Sequence, residues 1–158
     1  MLFKDDPSLQ RPFNSIFTAV TYNLGPQVVC FPHVDFANLP FGFCAITAIG
    51  DFDPSKGGYC VLWDCKLVIE FPPGSTILIL SAVLTHSNVK VAAHEMRSSF
   101  AQYCAGALFR WVDHNFQAVA SYHASLSEEE LEELDSSNEG RWELGLGLLP
   151  KAPSVNSS

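Results

Sequence analysis

From about Ser15 to Phe116 the chain is a succession of short β-branched and aromatic runs broken by clusters of Gly, Pro, Asp and Asn. That spacing is the pattern of an all-β sandwich or barrel. Strands are expected near 16–22, 27–35, 42–50, 58–63, 66–71, 76–81, 84–91, 97–105 and 108–114, enough for a jelly roll. The breaks have a mechanism. DPSKGG (53–58) and FPPGS (71–75) supply proline to preset φ and glycine to accept positive φ, so each ends a strand sharply.

After Phe116 the character changes. SLSEEELEELDSS pairs Ser127 with Glu130 three residues later, a capping-box signature on a run of strong helix formers, so one short acidic helix is expected there. Leu126, Leu131 and Leu134 give it only a thin apolar stripe, suited to light docking on the barrel or to a partner. KAPSVNSS reads as a flexible tail. Residues 1–125 are thus expected to form the β domain, and 126–158 the acidic helix and tail.

The totals fit one globular unit. The chain has 158 residues, 47% of them hydrophobic and 16% charged, long enough to bury a core and too apolar for general disorder. No apolar run approaches the roughly 18 residues that span a bilayer, and MLFKDDPSLQ lacks the apolar centre of a signal peptide. The expectation is a soluble intracellular protein of nucleus or cytoplasm, with no membrane partner. Five cysteines without a CxxC pair argue against a disulfide framework or a zinc knuckle and for buried free thiols. The formal charge of −8 is unevenly placed: residues 126–158 hold eight acids against Arg141 and Lys151, net −6, leaving net −2 for residues 1–125.

Within FPHVDFANLP (31–40), His33 and Asp35 are two apart. On an extended segment the side-chain period is two, so both point to one face and could grip one ion. A core histidine beside a loop aspartate is the ordinary alternative. The candidate third ligand is His86 in ILILSAVLTHSNVKV; two histidines and a carboxylate would make a facial triad with open positions, unlike a closed zinc site. Arg97 lies beyond the AAHEM turn, where a hairpin would bring it beside the His86 strand. An arginine on a strand reading SSFAQYCAGALF points inward only if an anion awaits it, because unpaired buried charge is costly. A dicarboxylate is such an anion, gripped by the guanidinium fork, with the Ser99 hydroxyl on the same face. The alternative is a surface Arg97 paired with Glu95.

Taken together, HVDF, GGYCVLWD, FPPGSTILIL, LTHSNVKV and MRSSFAQY resemble the core of the iron(II)/2-oxoglutarate-dependent dioxygenases, over about residues 20 to 112. In finer detail the chain is similar to the fungal versions of the ten-eleven-translocation/J-binding-protein (TET/JBP) oxygenase domain. The resemblance implies a cupin-like double-stranded β-helix in which His33, Asp35 and His86 bind Fe(II) and are catalytic. It implies that Arg97 and Ser99 bind the cosubstrate 2-oxoglutarate, that O2 is consumed, and that ascorbate supports turnover. The implied substrate is the methyl group of a pyrimidine in nucleic acid, while the wider superfamily also oxidises peptides and small molecules. For an extruded base, Phe36, Phe41 and Phe43 could supply a stacking ring and Lys56, Lys90 and Arg110 the phosphate contacts. Phe31, Phe36 and Phe43 would line the site with apolar surface. Such oxygenases carry buttressing elements ahead of the His-x-Asp pair, and little precedes His33 here, so the expectation is a fragment, a reduced paralogue, or half of an assembly with a partner chain or as a homo-oligomer.

Other signals are weaker. DFDPSKGGYCVL begins like a calcium loop, but its twelfth position is Leu62 rather than a bidentate glutamate. His94, His114 and His123 lack ligand spacing, and GLGLL (145–149) lacks the βαβ context of a dinucleotide loop. Two rival functions stay open: a cupin-like metal-binding barrel with no use for Arg97, and a non-catalytic interaction module whose acidic helix meets a basic partner.

Overall fold

A computed structural model describes residues 15–149. Among the described residues seven strands and four helices follow one another: β1 (Ala19–Asn23), β2 (Cys44–Asp51), β3 (Cys60–Leu62), β4 (Leu67–Ile69), β5 (Thr76–Ile79), β6 (His86–Asn88), β7 (Met96–Tyr103), α1 (Gly106–Asp113), α2 (Val119–Ala124), α3 (Glu128–Glu139) and α4 (Arg141–Gly147). The strands form two antiparallel sheets, one in the order β1-β7-β2-β5 and a smaller one in the order β4-β3-β6. Ala48 and Ile79 of the first sheet and Cys60 and Leu62 of the second share one buried cluster with Phe52, Phe71 and Val91, so the sheets face each other across an apolar core. Among the described residues no helix is long and apolar enough to cross a membrane.

Two expected strands take other forms. The stretch 27–35 is extended but makes only isolated bridges, Gln27 with Arg97 and His33 with His86. Pro32 has no N–H to donate, and the Asn88 side chain replaces a backbone partner, accepting from Cys30 N at 2.8 Å and donating to the Val28 carbonyl at 3.1 Å. The result is a strap along β6 rather than a ladder strand. The stretch 108–114 is helical instead of extended. Ala107, Arg110 and Asp113 are exposed while Leu108, Phe109, Trp111 and Val112 are half-buried, which is a spacing of three to four and not of two. Asn115 and Phe116 stop this helix in left-handed conformation, with φ of 52° and 60°.

The acidic helix begins as its sequence dictates. Ser127 N–H donates to Glu130 Oε2 at 2.8 Å and Glu130 N–H to Ser127 Oγ at 3.3 Å, a reciprocal capping box. Leu126, Leu131 and Leu134 are half-buried. A further helix, α4, follows it, tied back by an Arg141–Asp113 ion pair at 2.7 Å and by buried Gly145, which lies against the ring of Phe41.

The turn at 53–58 is no ion loop. The Asp53 carboxylate is taken by Lys56 Nζ at 2.7 Å and by the Ser55 hydroxyl at 2.6 Å.

Candidate metal centre and its cavity

His33 ends the strap and His86 begins β6, and their backbones exchange both hydrogen bonds of one antiparallel bridge. Asp35 follows two residues on, its N–H bound to the Ser81 carbonyl at 2.8 Å. His33 Nε2 lies 3.5 Å from Asp35 Oδ1, and His86 Nε2 lies 3.9 Å from Asp35 Oδ2. One ligand atom from each of the three residues lies within 4.8 Å of the others.

The tautomers follow from the hydrogen bonds. His33 Nδ1 is 2.7 Å from the Phe31 carbonyl and His86 Nδ1 is 2.9 Å from the Leu84 carbonyl. A carbonyl only accepts, so each Nδ1 carries a proton, and in the neutral ring Nε2 presents a lone pair. Two imidazole nitrogens and a carboxylate oxygen then lie close enough together to hold one cation. This donor set fits a divalent transition metal with positions left open. His86 is buried, whereas the His33 side chain is about two-fifths exposed, so the centre opens on one side.

The opening leads into a cavity of about 620 Å³ between the sheets. His33, Asp35 and His86 line it, together with Arg97, Ser99, Ala101 and Tyr103 from the inward face of β7. Period two along β7 accounts for that face: Arg97 and Ser99 are buried and Met96 is exposed. Gly50, opposite Arg97, lets β2 approach closely at φ 140°, where any Cβ would run into the Met96 carbonyl oxygen.

Arg97 is only 3% exposed, yet no carboxylate among the described residues pairs with it. Its Nη1 reaches the Val28 carbonyl at a long 3.4 Å, and its Nε has no hydrogen-bond partner among the described residues. Burial therefore pulls its pKa below the usual arginine value. The same burial raises the thiols of Cys30 and Cys60, which also line the cavity, with Arg97 opposing the shift. A buried guanidinium with an unpartnered donor, on a residue that lines a cavity, can take up an anion.

No family model and no curated protein matches the chain. Among solved structures, one of NgTET1 in complex with 5mC DNA matches with a TM-score of 0.56 at 16% sequence identity, covering 66% of this chain and 40% of that one. The likeness to NgTET1 is a distant one, of fold alone. The chain spans well under half of that structure's length.

The aromatic and basic residues expected at the site part company. Phe36 lines the cavity and is 90% exposed at its mouth, whereas Phe41 turns to α4 and Phe43 is not among the lining residues. Phe31 is exposed and also lies off the lining, and so do Lys56, Lys90 and Arg110. Several polar lining residues escaped sequence reasoning. Asn23 donates to Ser99 Oγ at 3.3 Å, and Asn38 donates to Asp35 Oδ2 at 3.3 Å. Asn88 alone had a local signal, sitting two residues beyond His86 and so on the same face.

Proposed function

We propose that the chain is an Fe(II)/2-oxoglutarate-dependent dioxygenase on a double-stranded β-helix, hydroxylating the methyl group of a methylated pyrimidine in nucleic acid. The observation that carries this reading is the joint presence, on one cavity, of the His33, Asp35 and His86 donor set and the orphaned guanidinium of Arg97. The sheet order supports the fold assignment. With the strap added beside β6 the smaller layer reads strap-β6-β3-β4 opposite β1-β7-β2-β5, two four-membered layers as in a jelly roll.

In this reading the three ligands hold Fe(II), which when bound supplies the activation of O2. Arg97 takes the distal carboxylate of 2-oxoglutarate through its fork, and the Ser99 hydroxyl, held by Asn23, stands beside it. The Ile46, Phe71 and Ala101 side chains keep water from the reacting centre. Phe36 at the mouth is the ring on which a base would stack. The pyrimidine assignment rests on the TET/JBP resemblance and on the fold likeness to NgTET1, solved with 5mC DNA. A cupin-like barrel leaves Arg97 without a role.

The test is succinate release with Fe(II), ascorbate and 2-oxoglutarate over methylated DNA, RNA, peptide and metabolite panels, with mass spectrometry of the oligonucleotides. Hydroxymethyl product at low salt supports the full reading. Succinate formation only with a peptide or metabolite would keep the oxygenase chemistry and remove the nucleic acid. Failure to bind metal or 2-oxoglutarate would remove both.

A further inference from the structure

The carboxylate of the triad is held by a buried polar network that no motif announces. Ser81, at 0% exposure, ties down the Asp35 backbone by accepting its N–H. Asn38, at 9%, spends its side-chain amide on two acceptors, Ser81 Oγ at 3.1 Å and Asp35 Oδ2 at 3.3 Å, while its own backbone N–H donates to the Asp35 carbonyl at 2.8 Å. Asn38 is in turn bridged to Ala105 just ahead of α1, and Gly106 N–H donates to the Ala37 carbonyl at 2.9 Å. Four hydrogen bonds thus close a loop through Asp35, Asn38 and Ser81, in a place where an unmade bond would be costly.

We infer that Asn38, anchored by Ser81, is the positioning residue of the metal centre: its amide orients the Asp35 carboxylate toward the His33 and His86 nitrogens. This rests on the metal-binding reading of the triad. An amide occupying one side of Oδ2 fixes the rotation of the carboxylate about its last bond. Without it, Asp35, whose side chain is one-third exposed, swings freely between solvent and the two imidazoles. Ser81 acts through Asn38 and never meets the metal. The arrangement also gives α1 a role, because the residues joining it to β7 pin the loop that carries Asn38.

The test uses Co(II) as the probe, read by titration and by its visible absorption spectrum, on wild type, Asn38→Ala, Ser81→Ala and the double variant, with thermal melts alongside. Asn38→Ala should weaken Co(II) binding about tenfold to a hundredfold and change the spectrum, as loss of an outer hydrogen bond to a ligand does. Ser81→Ala should give a smaller loss in the same direction. That loss should vanish when Asn38 is already alanine, a coupling that general destabilisation does not produce. Ser81→Ala removes one hydroxyl and keeps the test available if Asn38→Ala fails to fold. Unchanged Co(II) affinity and spectrum in the folded variants would overturn the positioning role while leaving the triad intact. A wild type that takes up no Co(II) would overturn the triad, and this inference with it.

Discussion

His33 and His86 form a single antiparallel bridge, N–H to carbonyl at 3.1 Å one way and 2.9 Å the other, and their rings stand 4.4 Å apart. Directly opposed residues of an antiparallel pair project to the same face. The bridge therefore sets the two imidazoles side by side, with each Nδ1 held by a carbonyl two residues upstream. Backbone pairing by itself therefore brings the two rings together.

Replacement of His33, Asp35 or His86 by alanine should each lower Fe(II), Mn(II) or Ni(II) uptake by more than about tenfold. Metal analysis after dialysis of the purified variants measures it. Retention of the wild-type stoichiometry by all three would reduce the cluster to packing.

Arg97 should separate function from stability. Arg97→Ala should raise the 2-oxoglutarate requirement strongly with metal affinity almost unchanged, and Arg97→Lys should rescue little, because an ammonium cannot reproduce the fork. Without cosubstrate, Arg97→Met should be as stable as wild type or more so, by about 1 kcal/mol, since the buried guanidinium is unpaired. Urea melts with and without 2-oxoglutarate test both halves; an Arg97→Met variant much less stable than wild type without ligand contradicts the anion-receptor account.

His114 should make folding sensitive to mild acid. Its ring is buried, stacked on Tyr122 at 4.3 Å, and its Nδ1 is unpartnered among the described residues. Burial first, then the nearby His123, Arg110 and Arg141, lower its pKa below 6.5, with Asp113 opposing. The folded state thus prefers the neutral ring. Its contribution is fully present above the unfolded value of 6.5 and is lost as pH falls from there toward the lower folded pKa. The melting temperature should drop between pH 7.5 and pH 5.5 by more in wild type than in His114→Phe. Equal pH dependence in the two would exclude His114 as the source.

Gly145 should prove structural although it lies in the acidic C-terminal segment. A Cβ there would collide with the Phe41 ring, so Gly145→Val should cost about 1–3 kcal/mol through overpacking. Because Phe41 shares its loop with Asn38, the same substitution should also weaken metal binding slightly. Chemical denaturation and Co(II) titration of the one variant read both effects.

Much of this protein is written in short stretches of sequence. The alternation of β-branched runs with Pro-Gly breaks, the shared face of His33 and Asp35, the shared face of Arg97 and Ser99, and the Ser127–Glu130 capping box all depend on backbone sterics and side-chain periods spanning a few residues. Other features depend on partners far along the chain. Whether His86 would meet His33 was a question of register between the strap and β6, and whether Asn38 would meet Ser81 was a question of how two loops pack. The apolar run at 108–114 is compatible with strand or helix until its neighbours bury one face, and here they bury a helical one. Phe36 and Phe41 look alike in sequence, yet one opens onto the cavity and the other packs beneath Gly145 of α4. Local geometry determined which residues could act together, and the burial of surface between distant segments decided which of them do.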